Sequence, residues 1–105
     1  MAQFDVFRNP GRQREAIPFV VVLQNVRFDR SATRFVAPLV LSSLANIAEH
    51  YLAPHFTING VEVVLDVFNL ATLPVDRLGT PIASLADEES RAKLMRALDE
   101  FLSQA

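Results

Sequence analysis

The chain has 105 residues, no cysteine and a formal net charge of −2, and half of its residues are hydrophobic. This length suits one compact domain over residues 1–105 and excludes two of ordinary size, while the hydrophobic share excludes a disordered chain. Without cysteine there is neither a disulfide framework nor a thiolate metal site. No apolar run approaches the roughly 20 residues of a membrane span, and the start lacks the basic and apolar regions of a secretory signal, so a cytoplasmic protein is expected.

Gln3 to Phe7 alternates and is rich in β-formers, which predicts a first strand. Asn9-Pro10-Gly11 is a turn signal, since proline presets one dihedral angle and glycine accepts positive φ. Ile17 to Leu23 reads as a buried strand with Pro18 near its start, where a missing N–H is tolerable. Phe35 to Leu41 reads as another, and its internal Pro38 suggests an edge or a bulge. Between these two, Gln24 to Arg34 is a charged connection of the length of a long hairpin. Ser42 to Asn46 is a short turn or helical start. Phe56–Ile58 and Val61–Val67 flank Asn59-Gly60, the pair favoured in a type I′ hairpin turn because both central residues need positive φ. Thr72 to Val75 supplies one more short strand. From about Ala86 to Leu102 the period changes to helical, with Leu94, Leu98, Phe101 and Leu102 recurring on one face and Asp87-Glu88-Glu89 at the end the macrodipole favours for acids. Leu94 and Leu98 are expected in the core. Many short strands followed by one helix predict a mainly β, α+β domain, a small antiparallel sheet or partly closed barrel with the helix packed on it.

The charge is distributed unevenly. Arg8, Arg12, Arg14, Arg27, Arg30 and Arg34 lie in the first third, and acids gather later, at Asp87-Glu88-Glu89 and Asp99-Glu100. Two readings stay open: an ordinary solvated surface, or a basic N-terminal face that docks an acidic partner segment. General nucleic-acid binding is disfavoured by the acidic whole.

Signals for chemistry are sparse. His50 and His55 flank Tyr51-Leu52-Ala53-Pro54, but no further ligand spacing accompanies them, so they read as structural and no metal or cofactor is expected. There is no phosphate loop, dinucleotide fingerprint or zinc-protease motif, and no glycines of a nucleophile elbow surround Ser42-Ser43. Asp29, Arg30, Thr33 and Arg34 form the one compact set of residue types that phosphodiester cleavage uses, in what is more simply a solvated hairpin loop. From chemistry alone the chain reads as a binding module and not an enzyme.

Taken together, several segments resemble the CcdB family of bacterial toxins. They are "AQFDVFRNP" at the start, "PFVVVLQ" followed by "TRFVAPL", then "LAPHFTINGVEVVL", "NLATLPVDRLGTPIASL" and the terminal "ALDEFL". The similarity is collinear over nearly the whole chain. It implies an SH3-like, partly closed antiparallel barrel with a C-terminal α-helix, assembled as a homodimer. The implied function is that of a type II toxin–antitoxin toxin that binds the DNA gyrase A subunit and traps gyrase on cleaved DNA. A CcdA-like antitoxin neutralises such a toxin by wrapping it with a segment that orders on binding, and operator DNA is met only through that complex, in transcription regulation. For the acidic antitoxin residues, the resemblance points to Arg8, Arg12 and Arg14. The fold is also similar to that of the MazF/Kid ribonuclease toxins, so the alternatives are an endoribonuclease using Arg30, Thr33 and Arg34, or a diverged remnant that only binds antitoxin.

Carried over by position, the gyrase-facing residues are Asn25, Arg27, Asp99, Leu102, Ser103, Gln104 and Ala105. Several depart from the family's usual pattern. The helix commonly ends in an aromatic or small residue followed by Gly-Ile, where this chain has Ser103-Gln104-Ala105. Arg27 stands where an aliphatic residue is typical, and Asp99 where asparagine is frequent. Loss of an apolar anchor removes about 2 kcal/mol or more at a hot spot, and a buried unpaired charge costs further. A weaker grip on a standard gyrase is therefore expected.

Overall fold

A computed structural model describes residues 2–25, 27 and 30–103. β1 (Asp5–Arg8), β2 (Phe19–Val22) and β3 (Thr33–Leu41) are followed by a single helical turn, α1 (Ser42–Ala45). The hairpin of β4 (His55–Ile58) and β5 (Val61–Leu65) comes next, then a 3₁₀ turn at Val67–Asn69 and β6 (Ala71–Pro74). A second 3₁₀ turn at Val75–Arg77 and the two-residue β7 (Ala83–Ser84) precede α2 (Glu88–Leu102). Every strand pair is antiparallel, in the order β4-β5-β3-β2-β1-β7, with β6 beside the first half of β3. This is the nearly closed SH3-like barrel with a C-terminal helix that the sequence predicts.

Local chemistry explains where the strands begin and turn. Asn59 and Gly60 take φ of 50° and 84°, the pair of left-handed conformations a type I′ turn requires. The first strand starts two residues later than the alternation suggests because Phe4 has φ 68°. That conformation is an outlier for an aromatic residue. It is held by the fully buried ring and by the Phe4 N–H, which donates to the Val22 carbonyl at 2.7 Å.

Pro38 does not mark an edge: β3 is a central strand, flanked by β2 on one side and by β6 and then β5 on the other. The neighbour on that second side changes between Val36, opposite Ala71, and Leu39, opposite Leu65. The Pro38 carbonyl points there and accepts the Asp66 N–H at 3.0 Å, so the proline nitrogen faces the handover and no ladder bond is lost.

β2 reads as four apolar residues in a row because both of its faces are covered. Phe19 and Val21 join the main core with Phe4, Val6, Leu39 and Val63. Val20 and Val22 join a second cluster with Phe7, Val36 and Leu78, closed by Leu73 of β6. α2 closes the main core with Leu94 and Ala97, both fully buried, and with half-buried Leu98. Its start is capped by Asp87, whose side chain accepts the Ser90 N–H at 3.1 Å; that bond holds the Asp87 carboxyl below its usual range. Farther along the same stripe Phe101 is partly exposed and Leu102 largely so.

The barrel opens between the edges of β4 and β7, and the first half of α2 borders the opening. His55, Phe56 and Thr57 of β4, Leu85, and Glu89, Ser90 and Lys93 of α2 line a cavity there of about 350 Å³. The Asn59 side chain spans the gap to the Ile82 carbonyl at 3.3 Å. On β4, the outward backbone groups of His55 are both met by side chains. Its N–H donates to Glu49 at 3.0 Å, and its carbonyl accepts from Lys93, which also pairs with Glu49 at 2.8 Å. The bond from Lys93, and then that from the His55 N–H, hold the Glu49 carboxyl below the usual glutamate value.

A depressed carboxylate stabilises the fold above its unfolded value, and that contribution is lost as pH falls through the lower native value. Glu49 is half exposed, so the effect is small. In urea titrations across the acid range, Glu49→Gln is expected to lower the midpoint near neutrality and to flatten its decline with acid. An unchanged acid slope would count against the link.

Candidate functional site

The predicted gyrase-facing residues fall on two elements. Asn25 and Arg27 are exposed on the connection between β2 and β3, where the Asn25 side chain accepts the Arg27 N–H at 3.0 Å. Asp99, Leu102 and Ser103 are exposed at the end of α2, where the Ser103 N–H donates to the Asp99 carbonyl at 2.8 Å. Gln104 and Ala105 lie outside the described residues. Gln3 locates the two groups relative to one another. Its side chain donates to the Leu23 carbonyl at 2.9 Å and accepts from Arg91 at 3.2 Å, so the root of the connection lies beside the first part of α2. From Arg91 to Ser103 the helix advances about 18 Å at its regular rise. No hydrogen bond, ion pair or ring contact among the described residues joins the two groups.

Sequence reasoning named Phe101 on the helical stripe but missed its aromatic partner at the helix end. Phe101 meets Phe68, from the 3₁₀ turn after β5, edge to face with centroids 5.3 Å apart. Phe68 is 68% exposed and Leu102 70% exposed, so this end of the molecule presents bare apolar surface. Phe68 continues into a groove of about 230 Å³ lined by Val40, Ala45, Ile47, Leu52 and Val64 among others. The signal for Phe68 in the sequence was slight: it lies outside any periodic segment.

The arginine-bearing loop after β1 is built around Asn9. Its side chain donates to the carbonyls of Arg12 and Ile17 and accepts the Gly11 N–H at 2.9 Å. Arg8, Arg12 and Arg14 are exposed on this loop, and Arg14 donates to the Gly11 carbonyl at 3.1 Å. Arg77, 67 residues from Pro10 in sequence, donates to the Pro10 carbonyl at 3.2 Å. It adds a fourth arginine that the sequence alone did not associate with the loop.

The described members of the set considered for RNA cleavage differ in burial. Arg30 and Thr33 are exposed, whereas Arg34 is buried and donates to the carbonyls of Ser31 and Thr33. Asp29 lies outside the described residues. The histidines serve local structure: His55 Nε2 is 2.9 Å from the Ile47 carbonyl, and His50 Nδ1 accepts the Leu52 N–H at 3.3 Å. Among the described residues no group of three or more histidine or carboxylate side chains is placed to hold a metal ion. No described helix is long and apolar enough to cross a membrane.

Comparison with known proteins agrees with this architecture. A search of curated proteins found no match. The family model described as CcdB protein matches residues 3–103, nearly the full length that carries the barrel, the exposed helix end and the arginine loop. The chain therefore belongs to the CcdB family, the toxins of toxin–antitoxin modules.

Proposed function

We propose that residues 1–105 form one toxin domain that acts as a homodimer in the cytoplasm, binds the gyrase A subunit and traps gyrase on cleaved DNA without itself catalysing a reaction. The observation that carries this reading is the exposed apolar end of the molecule, Phe68, Phe101 and Leu102. A patch of this kind on a small domain is characteristic of an interaction surface. A second copy covers Phe68 and Phe101 in this reading. Leu102, Ser103, Gln104 and Ala105 then face the target with Asp99, and Asn25 and Arg27 extend the surface.

The arginines at 8, 12, 14 and 77 suit an acidic, disordered antitoxin segment of the CcdA kind, because each guanidinium retains donors beyond those spent on loop carbonyls. The antitoxin complex, not the toxin alone, contacts operator DNA.

The test is incubation of the purified protein with supercoiled plasmid, ATP and gyrase, taken in parallel from the protein's own host and from a laboratory host. Linear, cleavage-trapped DNA is expected with the matched gyrase and reduced or absent trapping with the other, given Ser103, Arg27 and Asp99 at the contact. No trapping with either enzyme at high protein concentration would overturn the gyrase reading. Retained antitoxin binding in that case would identify a remnant, and cleavage of a mixed RNA pool would identify a ribonuclease.

A further inference from the structure

The segment from Glu49 to Pro54 lies against α2, and the space between them is a cavity of about 330 Å³ lined by Glu49, His50, Tyr51, Pro54, Lys93 and Arg96. Tyr51 contacts two of the other lining side chains. The His50 ring lies 3.9 Å from it, centroid to centroid, and the Arg96 guanidinium carbon sits 5.2 Å from the same ring.

The two cations in the pocket differ in what they have left to offer. Lys93 is occupied by Glu49, by the His55 carbonyl and by the Phe56 ring. Arg96 has the Tyr51 ring as its one polar or aromatic partner among the described residues. This cation–π contact leaves the N–H donors of the guanidinium for a ligand, and its planar fork suits the two oxygens of a carboxylate. His50 adds a donor: its Nδ1 accepts the Leu52 N–H, which places the proton of the neutral ring on Nε2.

Charge decides the class of ligand. Lys93 and Arg96 against Glu49 leave one net positive charge in the lining. One helical turn to either side, Glu89 and Glu100 share the helix face of Lys93 and Arg96. A polyanion such as nucleic acid would bring its further charges against these carboxylates, whereas a single carboxylate needs only the one fork.

We propose that this pocket is a docking site for one acidic side chain of a partner peptide, its carboxylate held by Arg96 and His50 and its apolar stem lying on Tyr51 and Pro54. The site uses none of the arginines at 8, 12, 14 and 77, so it does not depend on the antitoxin reading of that loop.

Tyr51 is the one tyrosine of a chain without tryptophan, which makes its intrinsic fluorescence a reporter of this pocket. The probes are a short acetylated and amidated peptide of alternating glutamate and leucine, its glutamine counterpart, inorganic phosphate and a short oligothymidylate. A saturable change in Tyr51 emission is expected with the glutamate peptide and not with the glutamine one. Arg96→Gln should weaken that binding about tenfold or more, the loss of a charged hydrogen-bonding partner. Arg91→Gln, on the same helix but bonded to Gln3 and placed over Phe4, should leave it unchanged. Equal binding by Arg96→Gln, equal weakening by Arg91→Gln, or tighter binding of phosphate or oligothymidylate would overturn the assignment.

Discussion

Replacing Leu94 by alanine is expected to remove about 2–5 kcal/mol of folding stability. A small domain has about 5–15 kcal/mol in total, so this single truncation takes a large share. Leu94 is fully buried and is one of the few side chains by which α2 enters the barrel. Its neighbours in the main core are themselves buried and closely packed, so the walls have little freedom to collapse into the space left behind. The helix itself has 15 residues, a length that is marginal in water without packing. Its last turn holds Asp99 and Glu100 and no basic residue, against the preference of the macrodipole. The cavity therefore weakens both the core and the attachment of the helix. Urea denaturation measures the loss, with Leu102→Ala as the control: at 70% exposure it should change stability by no more than about 0.5 kcal/mol. A Leu94→Ala protein as stable as the parent would contradict the packing described.

The second large effect concerns assembly. Phe101→Asp is expected to convert the proposed homodimer to a monomer while leaving the fold intact, because the ring is partly exposed in a single copy and belongs to neither core cluster. An aromatic anchor at the centre of an interface is worth about 2 kcal/mol or more. In a two-fold contact each substitution counts twice, so the dissociation constant should rise by a factor on the order of a thousand. The aspartate adds charge to a surface that association would dry. Sedimentation across a dilution series separates the outcomes, and circular dichroism checks the fold. A parent that is monomeric at every concentration would remove the dimer from the proposed function, and a variant that stays dimeric would move the interface away from Phe101.

Short-range signals carried most of the fold. Asn59-Gly60 announced its hairpin because only certain residues accept left-handed dihedral angles, and the 3.6-residue period announced α2 to within two residues of its start. What escaped were features decided by distant chain. β7 has two residues, too few to show alternation, and exists because Asp5 and Val6 offer it an edge. Pro38 looked like an edge marker, yet sits in the middle strand because the partner on one side changes at its position.

The site was legible to a smaller degree. Asn25, Arg27, Asp99, Leu102 and Ser103 are all exposed, which the proposed recognition surface requires. The aromatic partner Phe68 and the loop-bracing Arg77 are brought in by tertiary structure, and no spacing in the sequence connects them to the helix end or to Pro10. The helical stripe carried two kinds of residue that periodicity alone does not separate: Leu94 and Leu98, expected in the core, enter it, while Phe101 and Leu102 lie past the buried part of α2.

A barrel that stops short of closure leaves a raw strand margin, and such a margin is a template on which other chains polymerise. Here the strand is short and two oppositely charged side chains shield its margin at His55. Glu49 and Lys93 occupy the His55 backbone groups that an incoming strand would need, so they act as a stand-in for the missing neighbour. Their value then lies less in folding free energy than in colloidal behaviour: with His55 occupied, an incompletely closed sheet offers fewer free backbone groups to copies of itself.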